Sequence, residues 1–137
     1  MNLTLRSFLP ALLFAATCLG AIGKPNLVVF ISDDLGRLDT SIHGSKDVRT
    51  PTMDLLAAGG MTFDDAYVAS PSCCPSRFSL LTGLMPARHG AHPNHSQVKP
   101  GTKFLMPILK KMGYHIASFG KIAHGNKDFE GMDFNNP

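Results

Sequence analysis

Residues 26–34 read NLVVFISDD, an apolar run rich in β-branched side chains that ends at two aspartates. A run without polar alternation is typical of a strand that is buried on both faces in a parallel sheet. The pattern therefore predicts a strand over residues 26–32, with Asp33 and Asp34 placed directly after its carboxyl end.

Helix and strand signals alternate downstream of this run. Thr50 at an N-cap position, Pro51 at the first helical position and the stop signal Gly59-Gly60 predict a short amphipathic helix. Residues 61–69 (MTFDDAYVA) predict a second strand, although two aspartates stand in its middle. A strand, a helix and a second strand therefore follow one another in the first half of the chain.

The second half continues the alternation. Pro75 in a first turn and Gly83 as a stop predict a second helix, and the loop over residues 84–102 is rich in Pro, His and Gly. A third helix is expected over residues 106–112 and a third strand over residues 114–119. Strands that alternate with helices predict an α/β fold with a parallel sheet.

Ligands of such sheets bind outside the carboxyl ends of the strands. Two polar clusters fall at these ends: Asp33-Asp34 after the first strand, and Gly120-Lys121 with His124 after the third. These residues are therefore the first candidates for a functional site.

Composition excludes several classes of protein. The chain has 137 residues, 13 basic and 10 acidic side chains, and only 17% charged residues, which fits one ordinary globular domain. Its +3 charge is scattered, so no basic stripe is present to follow a nucleic acid backbone. No heptad, Gly-X-Y or longer repeat recurs.

Residues 1–23 have the layout of a secretory signal peptide: one cation, an apolar core and small residues before Lys24. A secreted or periplasmic protein is expected, or one of a lysosomal-type compartment in a eukaryote, without stable insertion into a membrane. The alternative is an uncleaved anchor, for which the apolar run is short. Cleavage leaves only Cys73 and Cys74, two neighbours that cannot link distant parts of a fold.

Cys73 and Cys74 instead precede Pro75 at the predicted start of the second helix, where free N–H groups and the helix dipole favour an anion. Arg77, one turn further, adds a permanent cation. The pattern thus places a nucleophile beside an anion site. The residues by themselves equally allow a buried cysteine pair at the end of an ordinary helix. The spacing disfavours a Cys-x5-Arg phosphatase and a Cys-x-x-Cys redox motif.

The segment Cys73-x-Pro75-Ser76-Arg77-x-x-x-Leu81-Thr82-Gly83 resembles the signature of the type I sulfatases, the formylglycine-dependent branch of the alkaline-phosphatase-like superfamily. The order and spacing of the other polar clusters resemble that family as well, so the likeness spans residues 25 to about 125. The resemblance implies the N-terminal portion of a doubly wound, mixed or parallel sheet with helices on both faces. Residues 24–137 would form the N-terminal part of a catalytic domain that continues further.

The resemblance also implies a mechanism. A maturing enzyme would oxidise Cys73 to formylglycine, whose hydrated aldehyde attacks the sulfur of a sulfate ester and then releases sulfate. Arg77 would hold the hydrated group, and Lys121 and His124 would bind sulfate oxygens. A calcium ion, with magnesium as the alternative, would be bound by Asp33, Asp34 and the matured side chain of Cys73.

Plainer explanations exist for each of these residues. Vicinal aspartates are often solvated loop residues, and a single lysine is often a surface residue. The family commonly has Lys-x-His, whereas this chain has Lys121-Ile122-Ala123-His124, an arrangement that resembles iduronate-2-sulfatase relatives. The segment around Cys73 resembles heparan N-sulfatase relatives. A disulfide between Cys73 and Cys74 would block maturation.

The loop after the signature holds three histidines in a regular spacing: His89, His92 and His95. A zinc site is one interpretation, but the loop has no nearby thiolate and no helical register for the ligands. We therefore expect these side chains to line the substrate entrance or to face solvent. Asn94-His95-Ser96 is a glycosylation sequon.

The leading hypothesis is a hydrolase of sulfate esters or sulfamates that acts on a sulfated small molecule or glycan. One alternative is a formylglycine-dependent phosphonate monoester or phosphodiester hydrolase, and another is an inactive sulfatase fragment. We expect this polypeptide alone to be inactive and to bind calcium weakly. Two aspartates leave most of the six to eight oxygen positions around calcium to water.

Overall fold

The computed structural model describes residues 23–123 and 132–136. The chain divides into two units, Met1–Ile31 and Ser32–Pro137. The second unit contains, after two short 3-10 turns, four helices and two strands among the described residues. They are α1 (Pro51–Gly59), α2 (Cys73–Thr82), α3 (Pro86–His89), α4 (Leu105–Lys111), β1 (Ala117–Phe119) and β2 (Phe134–Asn136).

Helix α2 confirms the prediction from its proline and glycine, with one refinement at its start. The helix begins at Cys73 and not at Pro75, which takes the third position, where a proline removes no intrahelical hydrogen bond. It ends where Gly83 adopts φ 69° and donates its N–H to the carbonyl of Ser79 at 2.9 Å. A left-handed residue of this kind is strained for any side chain with a Cβ.

The described core forms around α2. Phe78 is fully buried, and its ring centroid lies 6.1 Å from the ring of His89 and 6.2 Å from that of Phe104. Burial of such an aromatic side chain contributes about 1.5–3 kcal/mol. The other buried apolar residues are Cys74, Ala91 and Met106. The core therefore joins α2 to the loop that follows it and to α4.

Strand β1 confirms the third predicted strand but is shorter, because it covers only the second half of residues 114–119. It pairs in parallel with β2, so that Ala117 lies opposite Phe134. The sequence analysis did not predict β2. Asp133 explains why this segment docks: its carboxylate accepts hydrogen bonds from Lys110 Nζ at 2.7 Å and from the N–H of Ile116 at 2.8 Å.

The other two predicted strands are wrong for the described residues. Residues 26–32 have no regular secondary structure, and Val28 and Phe30 are 73% and 89% exposed. Parallel strands need partners for their slanted hydrogen bonds, and the described sheet contains only β1 and β2. Residues 61–69 are also irregular, because Asp64 and Asp65 form a turn, as aspartates often do.

Helix α1 has its predicted bounds, but it buries none of its residues, so its apolar face is exposed in the part of the chain that the structure describes. Thr50 occupies the N-cap position without making a side-chain cap. Its hydroxyl instead accepts a hydrogen bond from the N–H of Ser41 at 2.9 Å, and the Ser41 hydroxyl donates to Asp54 at 2.8 Å. Helix α1 is therefore tied to the preceding 3-10 turn by polar contacts.

The loop predicted to be irregular over residues 84–102 contains the short helix α3, which begins at Pro86. Helix α4 confirms the third predicted helix within one residue at each end. The predicted leader over residues 1–23 falls almost entirely outside the described residues. Among the residues that are described, no helix has both the length and the apolar character to cross a membrane.

Candidate active site around Cys73 and Arg77

Arg77 is the buried centre of the candidate site. Its side chain is only 6% exposed, and its Nη2 lies 3.0 Å from Asp33 Oδ1. Its Nη1 donates to the backbone carbonyls of Lys121 and, at 3.4 Å, of Ile122. A buried guanidinium needs partners for its donors, and here they come from two segments far apart in the chain. Arg77 thus joins α2 to the segment before α1 and to the end of β1.

Lys121 completes an ion pair with the same carboxylate. Its Nζ lies 2.6 Å from Asp33 Oδ2, so that each oxygen of Asp33 accepts a hydrogen bond from a different cation. The hydrogen bond from Lys121 is the largest influence on Asp33 and, together with the contact from Arg77, holds its pKa below the ordinary value, although desolvation, the second-largest influence, raises it. Asp33 in turn raises the pKa of Lys121, and the electrostatic effect of Cys73 adds to this rise.

Cys73 is partly exposed at the first position of α2. Its thiol donates to Asn94 Oδ1 at 3.3 Å. Cys74 is fully buried, and its thiol donates to the carbonyl of Ser96 at 3.4 Å. Both cysteines are free thiols, so the disulfide considered above is not formed. Cys73 therefore carries the accessible thiol of the pair, and Cys74 the buried one.

The carboxylates of Asp33 and Asp34 provide part of the ligand set that a hard cation needs. Asp34 follows Asp33 with φ 56°, in the left-handed region that aspartate tolerates better than most residues. Their carboxylates supply the oxygen ligands that calcium and magnesium prefer. In the part of the chain that the structure describes, no group of three or more metal-ligating side chains comes together. Asp33 and Asp34 thus fit as a portion of a cation site.

The expectation that His89, His92 and His95 face solvent or an entrance is wrong for His89, which is fully buried. The N–H of Ala91 donates to His89 Nδ1 at 3.1 Å, which assigns the proton to Nε2, 3.1 Å from Ser79 Oγ. Desolvation lowers the pKa of His89, partly opposed by its bond to the carbonyl of Pro75. This histidine has a structural role in the core.

The structure thus brings together Asp33, Arg77 and Lys121, while His124 lies outside the described residues. The sequence analysis did not assign Asn94 to the site. It noted Asn94 only as part of a glycosylation sequon. No local sequence pattern shows that an asparagine contacts a cysteine 21 residues away. The catalytic and metal-binding roles of these residues stay predictions.

Comparison with known proteins agrees with the signature. A family model described as Sulfatase matches residues 25–136. The ulvan-active sulfatase of Formosa agariphila is 36% identical over 98 residues, which are 72% of this chain and 20% of that protein. The N-acetylgalactosamine-6-O-sulfatase of Bacteroides thetaiotaomicron is 39% identical over 117 residues, with 82% and 23% covered. The chain therefore spans less than a quarter of the length of these relatives.

Solved structures give the same result. The crystal structure of Ps i-CgsB matches with a TM-score of 0.63 and 35% identity over 74% of this chain and 25% of the other. The crystal structure of the same protein in complex with k-i-k-neocarrahexaose matches with a TM-score of 0.63 and 33% identity. Since the family model covers residues 25–136, most of the sequence, the chain belongs to the sulfatase family.

Proposed function

We propose that the protein is a sulfuric ester hydrolase whose nucleophile is a formylglycine made from Cys73. The observation that carries this proposal is the placement of a partly exposed thiol at the first position of α2, in the same helix as Arg77. Arg77 meets Asp33, which also binds Lys121. When present, formylglycine supplies a hydrated aldehyde that is able to attack sulfur and afterwards to release sulfate.

The residues of this chain would then act around that group. Arg77 is held by Asp33 and by backbone carbonyls, so it presents a fixed positive charge beside the first turn of α2. Lys121 has a side chain that is 37% exposed and is therefore accessible to an anionic substrate. We propose that Lys121 binds sulfate oxygens together with His124. The N-terminus of α2 adds its dipole to this anion site.

Asp33 and Asp34 would contribute carboxylate oxygens to a calcium ion, or to magnesium, and such a cation would supply electrostatic stabilisation of the sulfate group. The side chain of Asp33 is 42% exposed, so its carboxylate is accessible to an ion that would take the place of one of its two cationic partners. The remaining ligands would have to come from outside the residues described.

We propose a sulfated glycan as the substrate class. The relatives named for ulvan and for N-acetylgalactosamine, and the structure with a bound neocarrahexaose, support this class. We also propose that the functional protein has an alkaline-phosphatase-like sheet with helices on both faces, is exported by its leader, and meets a sulfatase-maturing enzyme. The exposed apolar run that contains Val28 and Phe30 is consistent with a larger sheet.

The test is mass spectrometry of the Cys73 peptide from the full-length protein produced in its native host, combined with turnover of an aryl sulfate and an aryl phosphodiester by that protein, because residues 1–137 by themselves are expected to be inactive. We expect an aldehyde at position 73 and preferential hydrolysis of the sulfate. Cys73→Ala should lower turnover by about 10³-fold or more, whereas the matched variant Cys74→Ala should retain it. An active preparation with an unmodified thiol, or a preference for the phosphodiester, would refute the proposal.

A further inference from the structure

Asn94 reaches the start of α2 from the loop that follows α3. Its Oδ1 accepts a hydrogen bond from the N–H of Cys74 at 3.1 Å and one from the thiol of Cys73 at 3.3 Å. The N-cap residue Ser72 makes no side-chain cap of its own. The amide of Asn94 therefore takes over the capping function from a distance of about twenty residues and, with the same atom, contacts the candidate nucleophile.

The loop that carries Asn94 is held by several contacts. Ser96 donates its hydroxyl to the carbonyl of Pro93 at 2.6 Å, and its own carbonyl accepts the thiol of Cys74 at 3.4 Å. His95 has φ 61°, a left-handed conformation that tightens the turn between them. These contacts flank Asn94 on both sides and restrict where its amide can point.

We propose that Asn94 is a positioning residue for the nucleophile, whose amide oxygen accepts a hydrogen from the side chain at position 73. In the unmatured chain that hydrogen belongs to the thiol. After maturation, which rests on the function proposed above, the sulfur atom stands in for an oxygen of the hydrated aldehyde, and the hydrogen would belong to its hydroxyl. Asn94 thereby orients the side chain through which it acts.

The geometry makes this role measurable. The N–H of Cys74 fixes Oδ1 of Asn94 at 3.1 Å, so the thiol of Cys73 meets this acceptor, at 3.3 Å, in one side-chain rotamer. Removal of the acceptor should therefore let the Cys73 side chain sample other staggered rotamers, whereas a residue that keeps an acceptor at position 94 should hold the rotamer.

The experiment measures the three-bond couplings of the Cys73 β protons by NMR in the full, unmatured chain, because these couplings report the χ1 rotamer. The wild type should show one rotamer, and Asn94→Ala should show averaged couplings. Asn94→Asp keeps an acceptor for the Cys74 N–H and the Cys73 thiol and should retain the wild-type couplings. Gln97→Ala removes an exposed amide from the same loop and should change nothing.

A purely structural cap predicts a different result: Asn94→Ala would lower the thermal midpoint but leave the Cys73 couplings of the folded variant unchanged. Wild-type couplings in folded Asn94→Ala would overturn the proposal. Averaged couplings in the wild type itself would also overturn it, so the test stays decisive if the alanine variant unfolds. Circular dichroism checks that each variant is folded.

The role of Asn94 and the proposed sulfatase function can be refuted independently of each other. In the matured protein, we expect Asn94→Ala to lower kcat for an aryl sulfate more than it changes KM, because the orientation of the nucleophile matters most in the transition state. Unchanged Cys73 couplings in Asn94→Ala would refute the role of Asn94 whatever the activity. A matured wild-type protein that has no sulfatase turnover, although its Cys73 rotamer depends on Asn94, would refute the proposed function instead.

Discussion

Arg77 and Asp33 meet at 3.0 Å, 44 positions apart in the sequence, with a guanidinium that is 6% exposed against a carboxylate that is 42% exposed. The buried guanidinium of Arg77 is thus paired with the carboxylate of Asp33, which solvent still reaches. Removing the partner of a buried charge costs more than the pair contributes when intact, since the remaining charge is left without compensation. Substitution of Asp33 should therefore leave the buried Arg77 without a charged partner.

Asp33→Asn should lower the thermal midpoint of the chain measured without added metal, because Arg77 and Lys121 both lose a charged acceptor. Asp34→Asn is the matched control. Asp34 has no hydrogen bond or ion pair to any residue in the described part of the chain, and asparagine tolerates the same backbone conformation. Equal midpoints for the two variants would show that the ion pair does not stabilise the fold.

Lys121→Met should raise the pKa of Asp33 toward its ordinary value of 3.8, because the hydrogen bond from Lys121 is the largest cause of its lowering. The depressed pKa contributes stability above pH 3.8, and this contribution is lost as the pH falls through the folded pKa. Carboxyl NMR titration of wild type and variant measures the change. Lys110→Met, which removes the partner of Asp133 instead, should leave Asp33 unaffected.

Stability should also fall when the pH drops below 6.5, the ordinary pKa of histidine, because His89 is held neutral in the fold. Its Nδ1 accepts the N–H of Ala91, so protonation there would break a buried hydrogen bond. His89→Gln should flatten the pH dependence of urea unfolding between about pH 5 and 7. The exposed His92→Gln is the control, and an equal flattening by both would contradict this role.

Phe78→Ala should lower the free energy of unfolding by about 3–5 kcal/mol, because it leaves a cavity among α2, His89 and Phe104. Leu80→Ala, in the same helix but 54% exposed, should change it by no more than about 0.5 kcal/mol. Denaturant titration of both variants checks this difference. Similar losses in both would mean that α2 is not anchored by its buried face.

Local signals predicted the helices well. Pro51 and Gly59-Gly60 bound α1, and Gly83 stops α2, because these residues act on the backbone within one turn of their own position. Strand prediction failed over residues 26–32 and 61–69 and missed β2. A strand depends on neighbours that a single segment does not contain, and its burial depends on the layers that cover it.

The sequence by itself determined the family, the position of Cys73 at the start of a helix, and the identity of Asp33, Arg77 and Lys121 as candidates. Spacing within one helix and a signature of consecutive residues are local properties. Only the tertiary structure decided that Asp33 bridges two cations and that Asn94 contacts Cys73. These contacts join segments distant in the chain, and a buried charge or an uncapped helix end selects whichever partner the packing brings within reach.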